Sequence, residues 1–188
     1  MANPIAGQQY IELSTPVPVS TPGKVEAVQL FWYGDPYSYH FEPTVNPWVE
    51  KLPADVAFRK VPAMVGGSWA AHGQMFLTLE AMGAGGQVHT ALFDAVHNKR
   101  KRLADAQDQA DSLAIQGVDK DKYLSIYSSF AMKGQVAQAK ELAKKYEARG
   151  VPTMVVGGKY RFDLGTAGGP EGMLNVADHL IAKERAAK

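Results

Sequence analysis

The sequence predicts an α/β fold in which a small β-sheet is interrupted by an all-helical insertion. Apolar runs of strand length lie near both ends of the 188-residue chain, and residues 68–147 between them have the apolar period of helices. The resulting order is strand–helix–strand, a long helical block, then a hairpin and a last helix. We therefore expect a discontinuous sheet domain of residues 1–65 and 148–188, and a helical domain of residues 66–147.

The chain begins with an extended lead-in that precedes a buried strand. Residues 1–23 are rich in Pro, Ser, Thr and Gly, and a short edge strand is expected at Tyr10–Leu13. Val25–Tyr33 is mostly apolar and aromatic and is followed by Gly34. Its length and its glycine stop predict a strand in the interior of the sheet.

A helix is expected directly after this strand. Asp35 is a favoured N-cap residue and Pro36 is a favoured first helical residue. Pro43 and Pro47 predict a kink or break inside the helix, because proline lacks the backbone N–H that the helix needs. Val56–Val61 is the next expected strand.

The central block is predicted to contain amphipathic helices separated by glycines. Four apolar stripes mark them: Met75, Phe76, Leu79 and Met82; Val88, Leu92, Phe93 and Val96; Tyr123, Leu124 and Tyr127; and Val136, Ala139, Ala143 and Tyr146. Asp119 is expected to cap the third of these helices. Beyond the block, a Gly-Gly pair between Thr153–Val156 and Lys159–Phe162 predicts a tight hairpin, and a final helix follows with Pro170 in its first turn.

Composition excludes several kinds of chemistry. The chain has no cysteine, so disulfides, thiolate metal sites and thiol catalysis are excluded. A formal net charge of +1 gives no strong field for nucleic acid or an anionic membrane, and no apolar run reaches the ~18 residues of a membrane span. The N-terminal MANPIAGQQY lacks the charged and apolar regions of a signal peptide, so we expect a chain in its mature form.

Few polar groups have the spacing of a catalytic or metal site. The five histidines, at positions 40, 72, 89, 97 and 179, lack metal-binding spacing, which favours structural or surface roles and no metal. We interpret the basic run at residues 98–102 as a solvated helix end. The GTAGG segment before the last helix is interpreted as a loop, since no Lys-Ser/Thr pair follows it.

Asp35 and Ser38 allow two interpretations. Their side chains can meet on one helical turn, so Asp35 as a base and Ser38 as a nucleophile would form a repurposed hydrolytic site. Serine hydrolysis usually needs a histidine base, and His40 does not align with both residues on one helical face. The simpler interpretation, which we favour, is that Asp35 caps the helix.

Five segments together resemble one known family. They are FWYGDPYSYHFEP, KLPADVAF, HGQMFLTLE, GVDKDKYL and RGVPTMVVGGKYRFD, and their likeness is to the DsbA family of periplasmic thiol:disulfide oxidoreductases. The resemblance covers nearly the whole chain. It implies a thioredoxin-like fold with an inserted helical domain, a periplasmic location, no cofactor, and extended or unfolded polypeptide as the partner. We expect a monomer without nucleic acid or membrane-span contacts.

The chain departs from the family at its reactive centre. The family carries Cys-Pro-His-Cys at the strand–helix junction, where this chain has Asp35, Pro36, Tyr37 and Ser38. Disulfide exchange needs two sulfurs, so the resemblance implies a scaffold inactive in disulfide exchange, whether as a natural or an engineered variant. The alternatives are a non-redox peptide-binding or chaperone-like module, and an enzyme repurposed around Asp35 and Ser38.

The resemblance also assigns a buried pair below the centre. Gln29 stands where the family commonly has a buried glutamate, opposite a lysine that matches Lys60. An amide cannot perform the proton transfer ascribed to that acid, but it can accept a hydrogen bond from Lys60.

A peptide contact is implied at the loop before the hairpin. Val151-Pro152 matches the family's cis-proline loop, in which the backbone of the residue before proline pairs with a substrate peptide. Apolar surface at Trp32 and Tyr37 would add side-chain contacts. We therefore expect Val151, Pro152, Trp32 and Tyr37 to contact polypeptide.

Overall fold

The computed structural model describes residues 2–188, and its contacts divide into two compact units. The sheet unit contains the chain up to Phe31, His40–Val61 and Ala143–Lys188. The helical unit contains Trp32–Tyr39 and Pro62–Leu142. The domain boundaries expected from the sequence stay a prediction; by contacts, the segment Trp32–Tyr39 belongs with the helices although it follows a strand.

A mixed five-stranded sheet forms the centre of the sheet unit. Its strands are β1 (Ile11–Glu12), β2 (Val25–Phe31), β3 (Val56–Pro62), β4 (Thr153–Val156) and β5 (Tyr160–Asp163), in the spatial order β1-β5-β4-β2-β3. β4 pairs antiparallel with β2, with Leu30 opposite Thr153, and antiparallel with β5 across the predicted hairpin. Every residue of β2 and β4 is buried, as expected for interior strands.

Three helices of the sheet unit are α1 (Pro36–Glu50), α7 (Leu164–Ala167) and α8 (Pro170–Ala186), although the first turn of α1 belongs to the helical unit. The buried face of α8 packs on the sheet, and Phe41 and Val45 of α1 join the same apolar cluster. α1 runs through Pro43 and Pro47, so the predicted break does not occur. Each proline removes one backbone hydrogen bond, and burial of the adjacent apolar face outweighs that loss.

The helical unit contains α2 (Gly67–Ala81), α3 (Gly85–His97), α4 (Ala106–Ile115), α5 (Lys120–Tyr127) and most of α6 (Phe130–Lys145). The four predicted helices are present, and α4 is an addition that the apolar stripes did not indicate. α4 buries little apolar surface, chiefly Ala110 and Leu113, and is capped by Asp105, which accepts a hydrogen bond from the Asp108 N–H at 2.9 Å. Within residues 2–188, no helix is long and apolar enough to cross a membrane.

Candidate functional site

Asp35 caps α1 as the sequence predicted. Its Oδ2 atom accepts hydrogen bonds from the Ser38 backbone N–H at 2.7 Å and from the Ser38 hydroxyl at 2.8 Å. Its carbonyl accepts from the Tyr39 N–H at 3.0 Å, which is the first hydrogen bond of the helix. The carboxylate also lies at the positive end of the helix dipole, where a negative charge is favoured.

Ser38 is placed as a structural group. Its side chain is 0% exposed. The hydroxyl donates to Asp35 and accepts from the Trp32 backbone N–H at 3.4 Å. A substrate has no access to this oxygen, so the geometry does not favour Ser38 as a nucleophile even though a carboxylate is within reach.

Trp32 is held inside the helical unit. Its ring stacks on Trp69 with centroids 4.1 Å apart, and a side chain at Gly34 would overlap it. The indole N–H donates to His72 Nδ1 at 3.0 Å. Because an indole is only a donor, Nδ1 must be the acceptor, and the His72 proton lies on Nε2, which donates to the Arg102 carbonyl at 2.8 Å. Burial lowers the pKa of His72, which favours this neutral form.

Two further histidines fix the connection between β2 and α1. His89 Nδ1 lies 2.9 Å from the hydroxyl of buried Tyr33, and His97 Nε2 donates to the Tyr33 carbonyl at 2.7 Å. The His97 ring also stacks on Tyr39, with centroids 4.6 Å apart. Sequence reasoning gave the histidines structural or surface roles but missed these partners, since no local spacing relates residues so far apart in the chain.

Tyr37 is open to solvent, as is Pro36 before it. It is 66% exposed on the first turn of α1. Of the aromatic residues expected to contact polypeptide, Tyr37 is exposed, and Trp32 is half-buried and stacked on Trp69.

The expected pair of Gln29 and Lys60 is not formed. Lys60 Nζ instead donates to both carboxylate oxygens of Glu42, at 3.2 and 3.1 Å. Gln29 is 0% exposed, and within residues 2–188 its amide oxygen and nitrogen have no hydrogen-bond partner. A carboxylate is a stronger acceptor for an ammonium group than an amide is, which explains the change of partner. Glu42 was missed because it lies on α1, not on the strand that carries Gln29.

The Val151-Pro152 bond is cis, as the family resemblance implied. Val151 is half-buried, and it directly precedes β4. Since β4 lies between β2 and β5, this strand has no free edge. Only the backbone before β4 therefore remains for pairing with a peptide. Within the described residues, no group of three acidic, histidine or cysteine side chains is placed to hold a metal ion.

Comparison with known proteins gives one family. Residues 44–180 match the DSBA-like thioredoxin domain. The thiol:disulfide interchange protein DsbA of Pseudomonas syringae pv. tomato is 62% identical over 187 residues, which are 99% of this chain and 87% of that protein. DsbA of Pseudomonas aeruginosa is 63% identical over 182 residues, which are 97% of this chain and 86% of that protein.

Solved structures agree in fold. The crystal structure of a Pseudomonas aeruginosa DsbA variant has a TM-score of 0.97 at 61% identity and covers 98% of this chain and 100% of its own. The oxidoreductase DsbA from Xylella fastidiosa has a TM-score of 0.93 at 29% identity, with 98% and 100% covered. The chain has a thioredoxin-like fold and a cis-proline before β4, and it lacks cysteine. By its sequence and fold it belongs to the DsbA family of thiol:disulfide interchange proteins.

Proposed function

We propose that this chain is a redox-inactive member of the DsbA family that binds extended polypeptide without exchanging disulfides. The observation that carries the proposed redox inactivity is the absence of cysteine from all 188 residues. Exchange requires a thiolate that attacks a disulfide sulfur and a second sulfur that resolves the mixed disulfide. The carboxylate and hydroxyl at Asp35 and Ser38 can do neither, and their mutual hydrogen bond supports a cap in place of the reactive pair.

One group on each unit supports the proposed binding of extended polypeptide. In the helical unit, Tyr37 presents an aromatic ring that is 66% exposed. In the sheet unit, Val151 is half-buried and precedes β4, whose pairing with β2 and β5 begins at Thr153, and a short backbone contact with an extended main chain is proposed there. We assign these two residues as polypeptide contacts, with Pro152 shaping the backbone at the second.

The family supplies the remaining parts of the proposal. We place the protein in the periplasm as a monomer, with unfolded or extended polypeptide as its partner. No disulfide passes between protein and ligand, so binding is reversible and unaffected by reductant. This last property separates the proposed function from that of a disulfide-exchange enzyme.

The test is a binding measurement with neutral peptides. Extended peptides rich in Leu, Ser and Gln are titrated calorimetrically, with and without dithiothreitol. We expect micromolar dissociation constants that reductant does not change and that Tyr37→Ala weakens at least threefold. Phe130→Ala is the matched control, because Phe130 is a 90% exposed aromatic residue elsewhere in the helical unit. Absence of binding across a varied peptide set would overturn the proposal.

A further inference from the structure

A cleft lies in the helical unit next to the start of α1. Its volume is about 640 Å³. Arg100, Lys101 and Arg102 are among the residues that line it, and Trp32 and His72 form another part of its wall. The residues that connect α3 to α4, numbers 98–104, carry these cations and are called the basic loop.

The backbone of the basic loop is fixed. Leu103 is 0% exposed, and its carbonyl accepts from the Gln109 side chain at 3.0 Å. The Arg102 carbonyl accepts from His72, and the Lys101 N–H donates to the Ala95 carbonyl at 2.9 Å. The run is exposed to solvent and begins at Asn98, the C-cap of α3, as the interpretation of a solvated helix end expects. The residues that follow continue as a loop whose backbone is tied, and this loop presents the cations.

Of the four cations of the basic loop, Arg100, Lys101 and Arg102 are available to an anion. Within residues 2–188, none of them lies within 4.0 Å of a carboxylate, whereas the adjacent Lys99 pairs with Asp94 at 3.7 Å. Lys101 Nζ has only a long contact to a serine hydroxyl, 3.4 Å from Ser112 Oγ. Three unpaired charges on one loop contrast with the net charge of +1 of the whole chain.

Nearby carboxylates do not neutralise the loop. Asp105 accepts from the Asp108 N–H to cap α4, and Asp108 accepts from the Ala104 N–H at 3.3 Å. Both acids are thus engaged with backbone at the start of α4. Burial lowers the pKa of His72 and so favours its neutral form, which adds no positive charge to that of the loop.

We propose that this cleft binds an acidic segment of an extended polypeptide, with carboxylates on the basic loop and an apolar side chain against Trp32. This inference rests on the proposed function and specifies the class of polypeptide that is bound. Arginine presents two parallel N–H groups that match a carboxylate, and a fixed loop loses little entropy when it binds one. The cleft also has apolar walls at Trp32, Val96 and Ala104, which suit a polypeptide better than a small inorganic anion.

The test compares two peptides of equal length on the full chain. One repeats Glu-Ser-Leu and the other repeats Gln-Ser-Leu, and affinities are measured by calorimetry at low and moderate salt. We expect the acidic peptide to bind at least tenfold tighter and to weaken steeply with salt. The triple variant R100Q/K101Q/R102Q should reduce its affinity to that of the neutral peptide. The control K122Q/K133Q/K140Q removes the same charge from exposed lysines and should change affinity less than twofold.

The possible results are distinguishable. If both peptides bind equally and the basic-loop variant has no effect, the inference is overturned while the proposed function stands. If neither peptide binds, both are overturned. Phosphate is titrated separately: if it displaces the acidic peptide more strongly than sodium chloride at equal ionic strength, the cleft is a phosphate site and the assignment to polypeptide is wrong.

Discussion

One carboxylate oxygen of Asp35 accepts hydrogen bonds from both the backbone N–H and the hydroxyl of Ser38, at 2.7 and 2.8 Å. Ser38 is buried, so this oxygen satisfies two groups that have little access to water. The residues at the two ends of the altered motif therefore depend on each other. This relationship makes Asp35 a structural residue of the first helical turn.

Asp35→Ala should destabilise the protein by about 2 kcal/mol, at the upper end of the range for N-cap loss. Beyond the lost cap, the substitution leaves the buried Ser38 hydroxyl without its acceptor. Asp35→Asn keeps an acceptor oxygen and loses only the charge at the helix terminus, which is worth about 0.3–1 kcal/mol. Urea unfolding of the three proteins measures the difference, and equal midpoints for all three would show that Asp35 is not the cap.

Restoring the family motif should restore disulfide exchange. In the variant D35C/Y37H/S38C, the sulfur at position 38 replaces the Ser38 hydroxyl oxygen and the sulfur at position 35 replaces the Asp35 Cγ atom, whose Oδ2 lies 2.8 Å from that hydroxyl. The two sulfurs therefore lie on the same side of the first helical turn, where a disulfide bond of about 2.05 Å can form. With glutathione disulfide as oxidant, the variant should oxidise a dithiol peptide at least tenfold faster than the parent does. The rate with the parent should equal the rate without any protein.

The single variant Asp35→Cys is the control for restoration. It can form a mixed disulfide but has no second sulfur at position 38 to resolve it, so it should not turn over. A folded D35C/Y37H/S38C protein without activity would mean that changes outside the motif also prevent the reaction.

Local rules explain what the sequence predicted correctly. Asp35-Pro36 starts a helix and Gly157-Gly158 forms a hairpin because each feature depends on a few adjacent residues. The partner of Lys60 was predicted incorrectly. Whether Lys60 binds Gln29 or Glu42 depends on side chains that come from separate elements of the fold. Periodicity also carries no information about such partners.

The basic loop shows a different limit. Its cations suggested only a solvated helix end, because the buried anchor Leu103 has a positive φ of 48° that no apolar pattern indicates. α4 was missed for a related reason. Its start depends on the cap by Asp105, and its short apolar face gives a weak helical period.

Lys60→Met should destabilise the protein by about 3–5 kcal/mol, because it leaves the buried Glu42 carboxylate without its ammonium partner. The double variant E42Q/K60M removes both charges and should recover at least half of that loss. Urea unfolding of the parent, both single variants and the double variant gives the coupling free energy. If the effects of the two single variants simply add, the pair is not coupled and the assignment of Glu42 as the partner fails.

The pH dependence of stability should report on His72. Burial lowers the folded-state pKa of His72, whereas an unfolded histidine titrates near its usual value of about 6.5. Between these two pKa values the unfolded chain binds a proton that the folded chain does not, so the free energy of unfolding falls as the pH falls. The slope contributed by this residue cannot exceed about 1.4 kcal/mol per pH unit.

His72→Gln isolates this contribution because it removes the titration and retains a polar side chain. Urea unfolding at intervals from pH 8 to pH 5 should show the parent losing stability more steeply than the variant below about pH 6.5. Above pH 7 the two curves should run parallel, with the variant lower because the hydrogen bonds to Trp32 and to the Arg102 carbonyl are disturbed. Parallel curves over the whole range would mean that His72 accepts its proton equally well in the folded and unfolded chains, contrary to its burial between these two partners.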